Sequence, residues 1–167
     1  MLRAKVEQKL GEMIRRNPTR ADLLEKFQSM IAEYNAGSAS VEQLFEQLLD
    51  FIRSISEEEQ RADREGLDEE ELAIFDLLTK PEPNLTRAQE ILVKGVARAL
   101  LAKLKRAKLI LDWRLKENAK ADVRQTIREE YDDLPEVYDQ RIWEDKVERT
   151  FQFMFERYPG ESATPPT

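Results

Sequence analysis

The sequence contains no cysteine and no histidine. The first absence excludes disulfides, thiolate metal sites and cysteine nucleophiles; the second excludes imidazole ligands and every histidine-based general base. Glycine is scarce, five residues in 167. The stretch LVKGVARALLAK holds only one of them, too few for backbone amides to converge on a phosphate with a lysine at the helix start. No apolar run approaches the length of a membrane span, and the opening MLRAKVEQKLGEM is amphipathic and mixed in charge. A cytoplasmic protein with no membrane partner is therefore expected. No alternating stretch is long enough for a strand, which removes sheet-based active sites. Asp76 and Lys80 thus do not form the two-metal nuclease arrangement, in which carboxylates and a lysine sit on adjacent strands. Helical di-metal centres need Glu-x-x-His, which a chain without histidine cannot supply.

What the sequence has in quantity is charge, 37% of residues, with a net charge of -7 that is unevenly spread. From Glu57 to Leu78 ten acids face two arginines, a net of -8, and this segment repels phosphate. From Arg87 to Arg124 eleven lysines and arginines face four acids, a net of +7. The second segment has two readings. Lys103, Lys105, Arg106, Lys108 and Arg114 either neutralise DNA phosphates, giving salt-sensitive binding, or form an ordinary helix exterior that complements the acidic segment. The acids from Glu57 to Glu71 are read as a solvated face, with an oxygen-only Mg or Ca site as the lesser alternative.

The periodicity predicts helices throughout. A first helix spans Leu2 to Arg15, and Asn17 with Pro18 begins a second that ends near Tyr34 and Gly37. Ser40 with Gln43 is a capping box opening a third, whose positions Val41, Leu44, Phe45, Leu48, Leu49, Phe51, Ile52 and Ile55 are expected to form one broad buried face. Asp68 and Glu71 open a short helix that Pro81 and Pro83 end. Thr86 and Gln89 cap a longer helix with an apolar stripe through Leu92, Val96, Ala99, Leu100, Leu104, Ala107 and Leu111, and Gly95 in it suggests a close helix crossing. Asp112 is expected to cap the next helix, with Leu115, Ala119, Val123, Ile127 and Tyr131 on one side. A turn at Leu134 and Pro135 precedes a last aromatic helix through Tyr138, Ile142, Trp143, Val147, Phe151, Met154 and Phe155. The fold class is thus all-α, a bundle of about six helices without a sheet. Residues 1–66 and 67–159 are expected to pack as one domain, with 160–167 as a disordered tail. Trp113 and Trp143 are read as core residues before partner anchors.

Five short motifs occur in a set order: Tyr34-Asn35; Glu70, Glu71, Ala73, Phe75 and Asp76; Leu109, Leu111, Asp112, Trp113 and Arg114; Ala121, Val123, Arg124 and Ile127; and Leu134, Pro135 and Tyr138. From about Asn17 to Tyr158 this order resembles the C-terminal helical region of the restriction (R) subunit of type I restriction-modification enzymes. Members often carry an aromatic and histidine pair where this chain has Phe151, Gln152 and Phe153. The resemblance implies a non-catalytic domain detached from an ATP-dependent DNA translocase and endonuclease. No catalytic, cofactor or metal residue is implied here; ATP and Mg would belong to the parent subunit. The implied partners are the modification (methyltransferase) and specificity subunits and the rest of the R subunit, with DNA reached through the complex. A DNA-contacting module built on residues 87–124 is the alternative. A stand-alone hydrolase using acids near Glu69 is a third class.

Overall fold

A computed structural model describes residues 2–158, and the expected tail at 160–167 lies outside them. Among the described residues the fold is all-α: seven α-helices joined by short 3-10 and π turns, with no strand. The chain divides into two compact units, Met1–Glu69 and Glu70–Thr167.

The first unit holds α1 (Leu2–Arg16), α2 (Ala21–Asn35) and α3 (Val41–Glu65). Asn17 does not start α2 directly. Its side chain accepts from the Thr19 amide at 3.2 Å and the Thr19 hydroxyl at 2.8 Å, which caps a 3-10 turn at Pro18–Arg20 that runs on into α2. Arg20 is buried at this corner, donating to the Met13 carbonyl at 3.4 Å and to Glu69 at 3.0 Å, so a charge is removed from water with its counter-ion. The Ser40 and Gln43 capping box forms with both hydrogen bonds. At the other end of α3 the acidic stretch is helix to Glu65. Gly66 closes it at φ 71°, a left-handed conformation that costs glycine little, while the Leu67 amide reaches back to the Ala62 carbonyl. Leu10, Met13, Phe27, Met30 and Phe51 are the core, with the Phe27 and Phe51 rings stacked at 5.6 Å.

The broad buried face expected of α3 is corrected by the structure. Leu44, Leu48, Phe51 and Ile55 turn toward the core, whereas Val41, Phe45, Leu49 and Ile52 are exposed. Eight apolar positions span a wider arc than a unit of three helices can cover.

The second unit is organised around α4 (Glu69–Thr79), which is buried at Leu72, Ala73, Ile74, Phe75, Asp76 and Leu78. Five successive buried positions leave no solvent face, as expected of a helix enclosed by others. Helix α5 (Arg87–Lys103) opens on the Thr86 and Gln89 capping box and continues as a π turn, Leu104–Lys108. A 3-10 turn (Trp113–Leu115), α6 (Glu117–Tyr131) and α7 (Gln140–Arg157) follow. Here too the sequence stripe is corrected. Helix α5 buries Val93, Val96, Ala97, Leu100 and Leu101, while Leu92 and Ala99 face out, a rotation of about one residue. Gly95 is exposed with open space where a Cβ would stand, so no helix crosses closely there. Leu115 is exposed rather than aligned with Ala119, Val123, Ile127 and Tyr131, all four of which are buried. No helix of the described residues is long and apolar enough to cross a membrane.

Candidate interaction surfaces

Several residues of the four later motifs make ties within the second unit. At the start of α4, Glu70 accepts hydrogen bonds from the Tyr158 hydroxyl and the Lys105 ammonium, each at 2.8 Å, and Glu71 is half-buried beside it. At the other end, where helical carbonyls lack partners, the Tyr138 hydroxyl donates to the Leu78 carbonyl at 2.8 Å and the Lys146 ammonium to the Lys80 carbonyl at 2.9 Å. Buried Asp76 lies 3.9 Å from the Lys80 ammonium, and the Lys94 ammonium sits over the Phe75 ring at 5.6 Å. Pro135 belongs to the turn that aims Tyr138, whose amide donates to the Pro135 carbonyl at 3.0 Å.

Trp113 is fully buried, its indole nitrogen donating to the Tyr158 carbonyl at 2.8 Å and its ring meeting Phe151 and Phe155 edge-on near 6 Å. Trp143, partly buried, donates to the Tyr131 carbonyl at 2.9 Å under the Arg128 guanidinium. Both tryptophans are committed to packing. Asp112 does not cap α6: it occupies the left-handed region at φ 57° and makes no capping hydrogen bond, and Lys116 precedes the helix instead. Arg124 pairs with Glu148 and lies 4.1 Å from the centre of the Phe151 ring.

The basic residues are distributed along α5 and its π turn, and most have carboxylates at hand. Lys103 reaches Glu130 at 2.8 Å, Lys105 reaches Glu70, and Lys108 reaches both oxygens of Asp122 at 3.0 and 3.1 Å. The Glu130 carboxylate raises the Lys103 pKa above its ordinary value by accepting its hydrogen bond. Arg114 donates to the Phe155 carbonyl at 3.1 Å, and Arg106 is exposed on the π turn. The acids are spread in the same manner: Glu58 takes Arg61 and lies near Arg20, Glu59 takes Lys9, and Glu69 takes Arg20. Among the described residues no three carboxylates converge on a point where a metal ion would sit.

Four buried polar groups escaped the sequence reading, among them Thr126, whose hydroxyl donates to the Asp122 carbonyl at 2.8 Å. Lys146 and Thr150 are buried on α7, where Thr150 lies 2.7 Å from the Tyr131 hydroxyl, and burial lowers the Lys146 pKa. Their signal was available, because both stand at four-residue steps from Ile142, on the apolar arc. Arg20 at the α1–α2 corner had no comparable marker.

Besides the pair Ile91 and Leu92 on α5, two sets of large apolar side chains remain outside. Val41, Phe45, Leu49 and Ile52 on α3 are 61, 61, 47 and 55% exposed, at spacings of four, four and three residues. Ile110, Leu111 and Leu115 protrude from the loop after the π turn, next to a shallow concavity of about 580 Å³ lined by residues 105–111. A second shallow groove, about 610 Å³, runs along Lys120, Arg124, Phe151 and Phe155, and its cations pair with Glu117 and Glu148.

Comparison with curated proteins and with solved structures gives no match. The family described as "Type I restriction enzyme HindI endonuclease subunit-like, C-terminal" matches residues 1–145, which take in all five ordered motifs and six of the seven helices whole. The ordered motifs, the all-α architecture they tie together and this match over most of the chain agree, and the protein belongs to that family of C-terminal domains of type I restriction enzyme endonuclease subunits.

Proposed function

We propose that this domain is an assembly module, docking the motor-bearing R subunit of a type I restriction enzyme onto the methyltransferase and specificity core. The reading rests on one contrast in the molecule. Lys103, Lys105 and Lys108 are engaged with carboxylates of their own unit, whereas a row of large apolar side chains on α3 is left to water. Organised apolar exposure favours a protein partner. Neutralised cations offer a DNA backbone few counterions to release. Catalysis, ATP and Mg then fall to other parts of the parent subunit.

The test is a binding measurement with the purified, folded chain. It should be captured by the methyltransferase and specificity subunits of its own system and compete with the complete R subunit for them. Folded material that neither binds nor competes would remove the docking reading. Tight duplex binding at low salt, abolished by reversing charge at Lys105, Arg106 and Lys108, would install the DNA-contact alternative in its place.

A further inference from the structure

The apolar row on α3 has a definite shape. At 3.6 residues and 5.4 Å per turn, Val41 to Ile52 covers about 16 Å, or three turns, and its four side chains fall within an arc of about 80°. One edge of that arc adjoins the Leu44, Leu48, Phe51 and Ile55 stripe that packs on the unit's own core. The other edge is lined by Glu42, Glu46, Asp50 and Arg53. Asp50 and Arg53 pair at 3.4 Å, while Glu42 and Glu46 make no ion pair among the described residues.

We infer that this face receives an amphipathic helix of a partner protein, at least three turns long, carrying apolar residues at three- and four-residue spacing and lysine or arginine along the edge that meets Glu42 and Glu46. The row supplies the anchors expected when a helix lies in an apolar groove, and the uncompensated acids select the charge of its rim. The same acids disfavour the other occupants. Nucleic acid and anionic lipid surfaces would be repelled. A second copy of the chain would bring acid to acid along this edge, its one cation, Arg53, being already paired.

This occupant presupposes the docking reading, and the experiment separates the two. Affinity for the methyltransferase and specificity core is measured for the wild-type chain, Phe45→Ser/Leu49→Ser, Glu42→Lys/Glu46→Lys and, for comparison, Ile110→Ser/Leu111→Ser. All substituted side chains are exposed, and circular dichroism checks that each variant keeps its helices. The serine pair on α3 should weaken binding about tenfold or more, the loss of one or two apolar anchors. The charge reversal should slow association severalfold and make the residual binding less sensitive to salt. The loop pair should stay within about twofold, as exposed positions away from the contact do. If the wild type binds and both α3 variants bind equally well, docking stands and this surface is wrong. If the wild type does not bind, the docking reading and this occupant fall together. Concentration-dependent self-association that the serine pair abolishes would assign the face to a second copy instead.

Discussion

The two units spend similar raw material in opposite ways. In Met1–Glu69 the core is five residues deep in the chain, Leu10, Met13, Phe27, Met30 and Phe51, and nearly as many large apolar side chains, Val41, Phe45, Leu49 and Ile52, stay outside. In Glu70–Thr167 an entire helix, α4, is enclosed, and buried Trp113, Tyr131, Tyr138, Lys146, Thr150 and Tyr158 all find hydrogen-bond partners. Each satisfied buried group adds about 1 kcal/mol and, more importantly, forbids alternative packings that would strand it. The second unit partners its buried polar groups internally, and the first leaves a continuous apolar row along one helix.

The contrast breaks most readily at Trp113. Trp113→Ala empties the space between Phe151 and Phe155 and strands the Tyr158 carbonyl, so urea unfolding should show a loss of about 3–5 kcal/mol. A loss near 1 kcal/mol would mean that the second unit is less tightly specified than its burial implies. Next in size come the phenols. Burial pushes Tyr131 and Tyr138 above the ordinary value. In the unfolded chain both ionise near pH 10, whereas in the folded chain they keep their protons. The stability they confer is therefore whole below about pH 10 and drains away as pH rises beyond it. Tyr131→Phe/Tyr138→Phe should cost about 1–3 kcal/mol at neutral pH for two lost hydrogen bonds and flatten that alkaline decline, as read from denaturation midpoints between pH 8 and 11.

Smaller effects sharpen the comparison. Gly95→Ala meets open space on an exposed helical position, so it should raise stability by up to about 1 kcal/mol through helix propensity. A destabilisation would restore the close crossing that the structure removes. Smallest of all, Phe45→Ser/Leu49→Ser should leave the unfolding free energy of the isolated chain within about 0.5 kcal/mol per site, since exposed side chains lose little on truncation. A large loss would show that the α3 row is covered within the chain itself.

Helix beginnings were legible because they obey local chemistry. The Ser40 and Thr86 boxes can be read from four residues each, and the prolines after Thr79 act on the backbone directly. Which side of a helix is buried was less legible. On α3 and α5 the apolar residues cover more arc than one neighbour needs, and the choice among Leu92, Val93 and Val96, or Phe45 and Leu48, is made by the helices packed against them. Asp112 was misread because an acid before a helix fits the capping pattern, while its φ of 57° is imposed by the turn around Trp113. Lys146 was passed over because lysine is presumed solvent-facing, although its carbonyl acceptor at the end of α4 makes burial tolerable. The motif residues were recognised as a family mark, but the tie from Tyr138 to the end of α4 could not be read without knowing that α4 is the enclosed element.

That enclosure has a practical corollary for anyone excising this region. Helix α4 is fastened at one end by Tyr158 and at the other by Lys146, both downstream of the stretch that the family comparison covers. A shorter fragment stopped at residue 145 would look complete by homology yet shed both fasteners, together with the Tyr158 carbonyl that holds the indole of Trp113. A fragment that keeps these fasteners extends at least to Tyr158.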